Sequence, residues 1–341
     1  MATGTREPTG TRTRRPLRLL VTLLVGAPLA VLLVWPQTFG AQQAFLISQI
    51  LAFRAPLALI LGVAALIWMM IALFPRRWGI AAGVAIVLGV ASLGNAAVLL
   101  VRGSDGALPD GDVTVLAWNT QGGATPPEEV AQMVIETGAD IVSLPEMDED
   151  AAAAVARIVA ADGRRMTPHT TRGDTGDSWI PTSLLIADDL GEYRLDEASG
   201  STPGLPSGVW RSVDGSGPTI VAAHPLPPLP GTMDEWRAGL RWVAEQCDGP
   251  DVIVAGDLNA TVDHLSGLGE GDALIGRCGD AATAAGGAAA GTWPSTVPTW
   301  IAAPIDHILT GSAWSVRGTR VITSAEHGAD HRPIVAVLDA R

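Results

Sequence analysis

Acidic, amide and imidazole side chains stand at the ends of short apolar segments throughout the C-terminal two thirds of the sequence. Asn119 follows one such segment, Glu146 comes shortly after 141–144, and His224 follows 220–223. The rest of the set is Asp257, Asn259, Asp306, Asp330 and His331. In layered α/β folds, loops from several strand ends converge on one cleft. A cleft with this inventory suits a hard divalent cation together with general acid–base groups that act on a phosphate ester.

Each of these residues also has an ordinary structural explanation. Asp and Asn are common turn formers after a strand, which would account for Asp257 and Asn259. Glu146 is closely followed by three acidic residues and could begin a solvated helix N-terminus. His224 could end a strand before a proline, so only the ordered set as a whole predicts a site. The other histidines are expected to be structural or exposed: His169, His264, His307 and His327.

The segments that must position these residues alternate between short apolar runs and amphipathic ones. This alternation predicts a layered α/β domain. The predicted strands are 112–118, 140–144, 182–187, 208–213, 219–223, 252–255, 305–309, 314–322 and 334–338. The predicted helices are 126–137, 148–161 and 233–246. The Ala/Gly-rich stretch 281–290 is expected to be a surface loop.

Charge divides the chain into two parts. Residues 1–104 carry nine arginines and one acidic residue, a net charge of +8, whereas residues 105–341 carry a net charge of −21. The sequence has two cysteines, and 48% of its residues are hydrophobic. This composition excludes an intrinsically disordered chain and a small disulfide-dense scaffold. The two parts are therefore expected to be separate domains in different solvents.

Three segments of the first part contain no charged residue. They cover 19–35, 55–74 and 78–101. Because a helix needs about 20 apolar residues to cross the hydrocarbon core of a bilayer, we expect three transmembrane helices in a membrane anchor, 1–104. A cleaved signal peptide is an alternative for the first segment, and a buried helical hairpin in a soluble protein is another.

The arginines near these segments predict the orientation of the chain in the membrane. Seven lie before the first segment or in the turn 75–77, and only Arg54 and Arg102 lie at the opposite ends. Because positive residues accumulate on the cytoplasmic side, the N-terminus is expected in the cytoplasm. Three spans of a cell membrane then place the acidic domain, 112–341, in an extracytoplasmic position. Residues 105–111 are polar and turn-forming and are expected to be a flexible tether.

Five short blocks carry a resemblance to a known family. They are Leu116-Ala-Trp-Asn119, Ile141-Val-Ser-Leu-Pro-Glu146, Ala222-Ala-His224, Ala255-Gly-Asp-Leu-Asn259, and Asp306 followed by Asp330-His-Arg-Pro333. In this order they resemble the endonuclease/exonuclease/phosphatase superfamily, which includes DNase-I-like nucleases, neutral sphingomyelinases and inositol-polyphosphate phosphatases. The resemblance covers about residues 113–338. It implies a four-layer α/β sandwich, in which two mixed β-sheets are flanked by helices and the active site lies at one edge.

The resemblance implies a metal site. Glu146 matches the family's metal carboxylate, which holds Mg²⁺ or Mn²⁺, and Asn119 lies beside it on the metal or the phosphate. Asp330 matches a second carboxylate near the metal. Two residues depart from the family pattern: Pro145 replaces a glutamine that often precedes the metal carboxylate, and Ala329 replaces a common serine. Neither is a primary ligand, so we expect catalysis to be retained.

The resemblance also implies catalytic roles. Asp257 matches the acid that orients or deprotonates the attacking water or protonates the leaving group, and Asn259 matches a phosphate-binding amide. His331 matches the imidazole that contacts the scissile phosphate or serves as general base, and Asp306 matches the carboxylate that fixes its tautomer. His224 lies where some branches of the family carry a second catalytic histidine.

The charge of the acidic domain bears on the substrate. Residues 105–341, with a net charge of −21 and no lysine, should repel long nucleic acids, whose binding relies on basic surfaces. Tethering to a lipid bilayer favours a lipid head group, an envelope phosphodiester or a small nucleotide. The sequence therefore predicts a membrane-anchored, metal-dependent phosphodiesterase or phosphatase. A nuclease acting outside the cytoplasm and a catalytically silent sensor or binding module are the alternatives.

The two cysteines are Cys247 and Cys278. A location outside the cytoplasm permits a disulfide between them, which would enclose about thirty residues. Cys247 could equally be a buried, reduced residue at the end of the helix predicted for 233–246. The sequence leaves both alternatives open.

Overall fold

The computed structural model describes residues 14–74, 77–104, 106–171, 180–323 and 328–341. Contacts within the chain divide it into two compact units. Unit 1 comprises Met1–Gln42 and Phe53–Leu99, and unit 2 comprises Gln43–Ala52 and Leu100–Arg341. This division differs from the boundary expected at residues 104–112, because a short segment from the N-terminal part belongs with the large C-terminal unit. His327 lies outside the described residues.

Three long apolar helices make up most of unit 1. They are α1 (Arg14–Val34), α3 (Arg54–Ala72) and α4 (Trp78–Arg102), and the shorter α2 (Ile47–Ala52) belongs to unit 2. A 3₁₀ turn, Pro36–Phe39, follows α1. The three long helices are long and apolar enough to cross a membrane, as predicted. Their orientation stays a prediction.

Asn95 on α4 is the polar centre of unit 1. Its Nδ2 donates to the carbonyl oxygens of Ala91 at 2.9 Å and Leu33 at 3.1 Å. Its Oδ1 accepts from Arg54 Nη1 at 2.6 Å, and the same Nη1 donates to the carbonyl oxygen of Val34 at 2.9 Å. Because a buried polar group without a partner is costly, these bonds join the three helices at one level.

Unit 2 contains fourteen described strands. In chain order they are β1 (Val113–Ala117), β2 (Ile141–Pro145), β3 (Met166–Thr171), β4 (Thr182–Ala187), β5 (Tyr193–Leu195), β6 (Gly208–Ser212), β7 (Thr219–Ala223), β8 (Val252–Asp257), β9 (Leu268–Gly269), β10 (Ile275–Gly276), β11 (Gly279–Asp280), β12 (Asp306–Thr310), β13 (Trp314–Val321) and β14 (Ile334–Ala340). Its helices after α4 are α5 (Pro127–Thr137), α6 (Glu149–Ala161), α7 (Met233–Gln246), α8 (Val262–Leu265) and α9 (Ala281–Ala285), with 3₁₀ turns at Asp188–Leu190 and Glu197–Ser199.

These strands form two six-stranded sheets and one separate pair, β9 with β10. The strand order is β13-β14-β1-β2-β4-β3 in the first sheet and β11-β12-β8-β7-β6-β5 in the second. Within these sheets, β1 pairs in parallel with β2, and β7 with β8. The remaining described pairings of the two large sheets are antiparallel, so both sheets are mixed, as predicted.

The two sheets pack face to face and helices cover their outer faces. Along β1, Val113, Val115 and Ala117 belong to the core between the sheets. Leu116 and Trp118 point the other way, into a second core with α5 and α6. A third core lies between the second sheet and α7. Strands that are buried on both faces need apolar residues throughout, so their sequences are continuous apolar runs. The predicted four-layer sandwich is confirmed.

Two expectations about loops differ from the structure. The stretch 281–290 was expected at the surface, but it begins with α9, and Ala281 and Ala288 belong to the core between the sheets. Small alanines fit where α9 contacts β12 and β13. The expected tether at 105–111 lies against β13 where it is described. Arg320 Nε donates to the Gly106 carbonyl oxygen at 3.1 Å, and a Cβ on Gly318 would meet the Ala107 carbonyl oxygen at 2.0 Å.

A disulfide joins Cys247 and Cys278, whose Cα atoms are 5.5 Å apart. It connects the residue after α7 to the turn between β10 and β11. The Arg277 amide also donates to the Cys247 carbonyl oxygen at 2.6 Å. Of the two alternatives left open by the sequence, the disulfide is therefore the one that the structure contains.

Candidate active site

Four of the predicted site residues meet where parallel strands end. Asn119 follows β1, Glu146 follows β2, His224 follows β7, and Asp257 is the last residue of β8. Asn119 connects the two sheets, since its Nδ2 lies 3.0 Å from Glu146 Oε1 and 3.1 Å from Asp257 Oδ2. The carboxyl ends of strands from both sheets thus share one edge of the sandwich, which is where ligands bind in layered α/β folds.

Two further residues reach this edge from antiparallel strands. β12 begins at Asp306, which is paired in register with Asp257 on β8. His331 lies three residues before β14. Because an antiparallel strand begins where its neighbour ends, both residues arrive at the same place. His331 Nδ1 lies 2.8 Å from Asp306 Oδ2, and His331 Nε2 lies 3.7 Å from Asp257 Oδ2.

Burial and charge set the protonation of this cluster. Burial opposes the charged form of His331, but the attraction of Asp306 and Asp257 outweighs it and raises the pKa of His331 to about 10. Burial raises the pKa of Asp257 above its usual value, although His331 counteracts this. His331 is therefore held as an imidazolium at neutral pH, beside a carboxyl group that can accept a proton.

His224 is buried and lies opposite both carboxylates. Its Nε2 is 3.8 Å from Glu146 Oε1 and 3.9 Å from Asp257 Oδ2. Burial first, and the charge of His331 second, lower the pKa of His224 to about 3. Its Nδ1 has no hydrogen-bond partner among the described residues. His224 is therefore a neutral imidazole, suited to hydrogen bonding with a ligand.

Glu146 and Asn259 have backbone conformations that are uncommon for their residue types. Glu146 has φ +65° and Asn259 has φ +49°. A positive φ is rare for a residue other than glycine and often marks a functional position. The Glu146 amide donates to the Pro181 carbonyl oxygen at 2.9 Å, and the Asn259 amide donates to Asp257 Oδ1 at 2.8 Å. These bonds hold both side chains at the edge.

Asp330 is positioned by two residues that the sequence did not indicate. Trp293 Nε1 donates to Asp330 Oδ2 at 2.9 Å, and the Asp330 amide donates to Gln121 Oε1 at 3.0 Å. The Trp293 ring also lies 6.4 Å from the ring of His331, centroid to centroid. The other seven predicted residues are joined by hydrogen bonds or ion-pair distances, whereas Asp330 is bonded to Trp293.

The donor groups at this edge fit a divalent cation. Asp257, Asp306 and His331 can each offer a ligand atom, all within 4.8 Å of one another. However, His331 and Asp306 already bond to each other, so a cation there would compete with that bond. The Glu146 side chain is 23% exposed and offers carboxylate oxygens to solvent. Because Mg²⁺ prefers oxygen ligands and keeps several waters, the partly open Glu146 beside Asn119 suits it better.

Comparison with known proteins identifies the family. The profile of the Endonuclease/Exonuclease/phosphatase family matches residues 116–331. The chain belongs to this family. Members of the endonuclease/exonuclease/phosphatase family are metal-dependent hydrolases of phosphoesters, so this chain is an enzyme of that class. The match spans all eight predicted site residues, and it confirms the resemblance carried by the five sequence blocks.

Several solved structures are similar to this endonuclease/exonuclease/phosphatase domain. Zebrafish (D. rerio) TDP2 complexed with a single-strand DNA product has 15% identity and a TM-score of 0.50, with 66% of this chain and 98% of that chain covered. An endonuclease/exonuclease/phosphatase from Beutenbergia cavernae DSM 12333 has 18% identity and a TM-score of 0.49, with 67% and 71% covered. A Bacteroides thetaiotaomicron mannosyl-6-phosphatase has 16% identity and a TM-score of 0.46, with 67% and 99% covered. No curated protein matches the sequence.

Proposed function

We propose that this chain is a membrane-anchored, divalent-metal-dependent phosphoesterase whose active site lies outside the cytoplasm. Its substrate would be a phosphodiester or phosphomonoester of a lipid head group, an envelope polymer or a small nucleotide. The observation that carries the proposal is the buried Asp306–His331 pair aimed at Asp257, next to the partly open Glu146. This arrangement combines a fixed positive charge, a proton acceptor and a metal carboxylate in one cleft.

Glu146 and Asn119, with Asp330 nearby, are the residues proposed to hold Mg²⁺ or Mn²⁺. The metal, when bound, neutralises negative charge that would otherwise repel a nucleophile from the phosphate. Asn119 Nδ2 also bonds to Asp257, so the metal carboxylate and the proton acceptor are held by one amide. That amide fixes their separation before a substrate arrives.

Asp257, His331 and His224 are proposed to handle the protons and charge of the reaction. As the oxygen of the attacking water bonds to phosphorus, its proton passes to Asp257, whose raised pKa suits a base near neutral pH. The His331 imidazolium stabilises the developing charge and gives its Nε2 proton to the departing oxygen as the phosphorus–oxygen bond breaks. The neutral His224 donates a hydrogen bond to a phosphate oxygen.

Asn259 and Asp306 are proposed to position these groups. The Asn259 amide holds Asp257 Oδ1, and its side-chain Nδ2 donates to the Pro225 carbonyl oxygen at 3.0 Å. Asn259 therefore connects the proton acceptor to the loop after His224. Asp306 holds Nδ1 of His331, which leaves Nε2 facing Asp257 and the substrate.

The surface charges of unit 2 support a small or membrane-bound substrate over long nucleic acid. Many of its described arginines form ion pairs with acidic residues: Arg102, Arg164, Arg165, Arg211, Arg237, Arg277 and Arg317. Arg332, next to the site, donates to backbone carbonyl oxygens, including that of Pro294 at 3.2 Å. These arginines have local partners, so they offer little uncompensated charge to a polyanion.

The test uses the purified full chain and its Asp257→Asn variant. Substrates are bis-p-nitrophenyl phosphate, p-nitrophenyl phosphate and plasmid DNA, each with Mg²⁺ or with a chelator. We expect metal-dependent release of nitrophenol that falls about 10²-fold or more in the variant. The matched control is Asp150→Asn, an exposed acid on α6, which should keep wild-type activity. Dominant cleavage of DNA would favour the nuclease, and no turnover together with no Mg²⁺ binding would favour the silent module.

A further inference from the structure

A ten-residue segment between two candidate membrane helices forms part of the catalytic unit. Gln43–Ala52 belongs to unit 2, although α1 precedes it and α3 follows it in the chain. Ser48 is fully buried, and its carbonyl oxygen lies 3.0 Å from His264 Nε2 on α8. Gln43 Nε2 donates to the carbonyl oxygen of the same His264 at 2.7 Å, and Leu51 is buried. The segment is therefore docked on unit 2 by its own contacts.

The segment Gln43–Ala52 also forms a hydrogen bond with the loop that follows His224 in the chain. That loop, 225–232, begins directly after His224, and its first carbonyl oxygen is bonded to Asn259. Three residues further on, the Pro228 carbonyl oxygen accepts from Gln49 Nε2 at 2.5 Å. Three residues span at most about 11 Å. Three residues of this loop therefore separate the contact with the docked segment from the contact with Asn259, a proposed site residue.

A second contact to α8 comes from the residue at the end of α4. Arg102, the last residue of α4, forms two hydrogen bonds with Asp263 on α8, at 2.8 and 2.7 Å. Asp263 is 1% exposed, so this bidentate pair is shielded from solvent. Both segments through which the chain enters unit 2 therefore contact α8, which begins three residues after Asn259.

The docked segment presents apolar side chains to the outside. Leu46 is 59% exposed, Ile50 46% and Phe45 47%, and Leu229 on the loop 225–232 is 53% exposed. We name these four residues the apolar ridge. Leu46 comes directly before α2, and Ile50 lies on the side of this helix opposite the buried Ser48. No charged residue occurs from 36 to 53.

We propose that the apolar ridge inserts into the membrane interface and holds the active site over phospholipid head groups, which makes the substrate a phosphoester of a lipid in the bilayer. The proposal rests on the proposed function. Ile50 lies four residues before Arg54, where the candidate span α3 begins, so it can be at most about 14 Å from that residue. Apolar side chains so close to the end of a span are within reach of the head-group boundary, where partial burial among acyl chains would stabilise them.

The insertion is tested on the full chain in liposomes of phosphatidylcholine and phosphatidylglycerol. Because the two native cysteines form a disulfide, one added cysteine takes a single environment-sensitive fluorophore. We expect the label on Ile50→Cys to be quenched by lipids with brominated acyl chains. The matched control is Val213→Cys, a similarly exposed apolar residue after β6, whose label should not be quenched. An unquenched label at position 50 would overturn the insertion, and would leave the apolar ridge as a surface for another protein.

The substrate class is tested with nanodiscs that contain phosphatidylglycerol, phosphatidylinositol and phosphatidic acid. The double variant Leu46→Ser/Ile50→Ser should hydrolyse bilayer lipid about tenfold more slowly, because serine removes the apolar contact. Its turnover of the soluble ester bis-p-nitrophenyl phosphate should stay within about twofold of the wild type, as should both activities of Val213→Ser.

The other outcomes separate this inference from the proposed function. A wild-type chain that hydrolyses the soluble ester but none of the bilayer lipids would overturn the inference and leave the phosphoesterase standing. An equal loss of both activities in the double variant would show a merely structural role for the ridge. A wild-type chain without turnover of any ester would overturn the proposed function, and the lipid substrate with it.

Discussion

His331 Nδ1 and Asp306 Oδ2 are 2.8 Å apart, and both side chains are almost completely buried. Asp306 begins β12 and His331 lies three residues before β14, and the register of β12 against β8 brings Asp306 beside Asp257 as well. One imidazole thus faces two carboxylates, which explains why it holds its proton so firmly. The pair is one of the buried charged pairs of unit 2, and the loss of one partner would leave the other uncompensated.

Removal of the Asp306 charge should release the proton of His331. In Asp306→Asn, the neutral amide no longer attracts the imidazolium, so the pKa of His331 falls from about 10 toward its ordinary value of 6.5. The shift is measured by a pH titration of ¹⁵N-labelled histidine side chains by NMR. We also expect kcat/KM to fall about 10²-fold or more, since the proton donor is lost at neutral pH.

The control for this titration is Asp280→Asn, which removes the carboxylate from a second buried pair. His307 Nδ1 lies 2.8 Å from Asp280 Oδ1. This variant should change the titration of His307 and leave that of His331 as in the wild type. If His331 titrates alike in the wild type and Asp306→Asn, the pair does not control its protonation.

Glu146 should dominate the affinity for the metal. In Glu146→Gln, one carboxylate charge is lost with little change in shape, and Mg²⁺ or Mn²⁺ should bind at least about tenfold more weakly by calorimetry. Asp150→Asn removes an exposed acid nearby and should bind metal like the wild type. If Asp306→Asn abolishes binding instead, the metal occupies the Asp257, Asp306 and His331 cluster.

The His307–Asp280 pair should stabilise unit 2 within a limited pH range. Burial disfavours both charges, but their mutual hydrogen bond outweighs it, which raises the pKa of His307 and lowers that of Asp280. The contribution of His307 is complete below pH 6.5 and is lost as pH rises through its raised pKa. The contribution of Asp280 is complete above pH 3.8 and is lost as pH falls through its lowered pKa.

The variant His307→Gln tests this range. At pH 6 it should lower the free energy of unfolding by about 3–5 kcal/mol, because it leaves Asp280 charged and buried. The difference from the wild type should shrink at alkaline pH, where His307 loses its proton. Urea denaturation at the two pH values measures it. A difference that grows with pH would contradict the assignment of charge to this pair.

Reduction of the disulfide should weaken unit 2. Cys247 and Cys278 are 31 residues apart in the sequence, and closing a loop of this size is worth about 3.7 kcal/mol. Guanidinium denaturation with and without reductant measures the loss. The variant Cys247→Ala/Cys278→Ala is the control. Its stability should be close to that of the reduced wild type and should not change when reductant is added. Equal stability of the oxidised and reduced chains would refute the expected contribution.

The sequence predicted the polar residues at strand ends because these strands are distinctive. β1, β2, β7 and β8 are buried on both faces, so each reads as an apolar run that stops at a polar residue. Trp293 and Gln121 could not be found in this way, because they lie outside the strands and helices and bond to Asp330 only through tertiary folding. The short edge strand β5 was missed because its exposed residues lack a clear apolar pattern.

The docking of Gln43–Ala52 could not be predicted either. Most of its residues are apolar and none is charged, as in the spans on both sides, and the sequence placed it in the membrane anchor. The contact that defines its position, from Ser48 to His264, joins residues 216 positions apart. No local pattern carries information about such a partner. The predicted boundary between anchor and catalytic domain therefore fell at residue 104.

Because of this long-range contact, the folding of the catalytic unit depends on the order in which its segments are synthesised. Gln43–Ala52 leaves the ribosome well before α8 exists, and two candidate spans, α3 and α4, are synthesised in between. The segment must wait for α8, with Ser48 and Leu51 uncovered in the meantime. Insertion of the spans and folding of the hydrolase are consequently stages of one assembly. A soluble fragment that starts after α4 would lack Gln43–Ala52, a part of the catalytic unit that contacts α8.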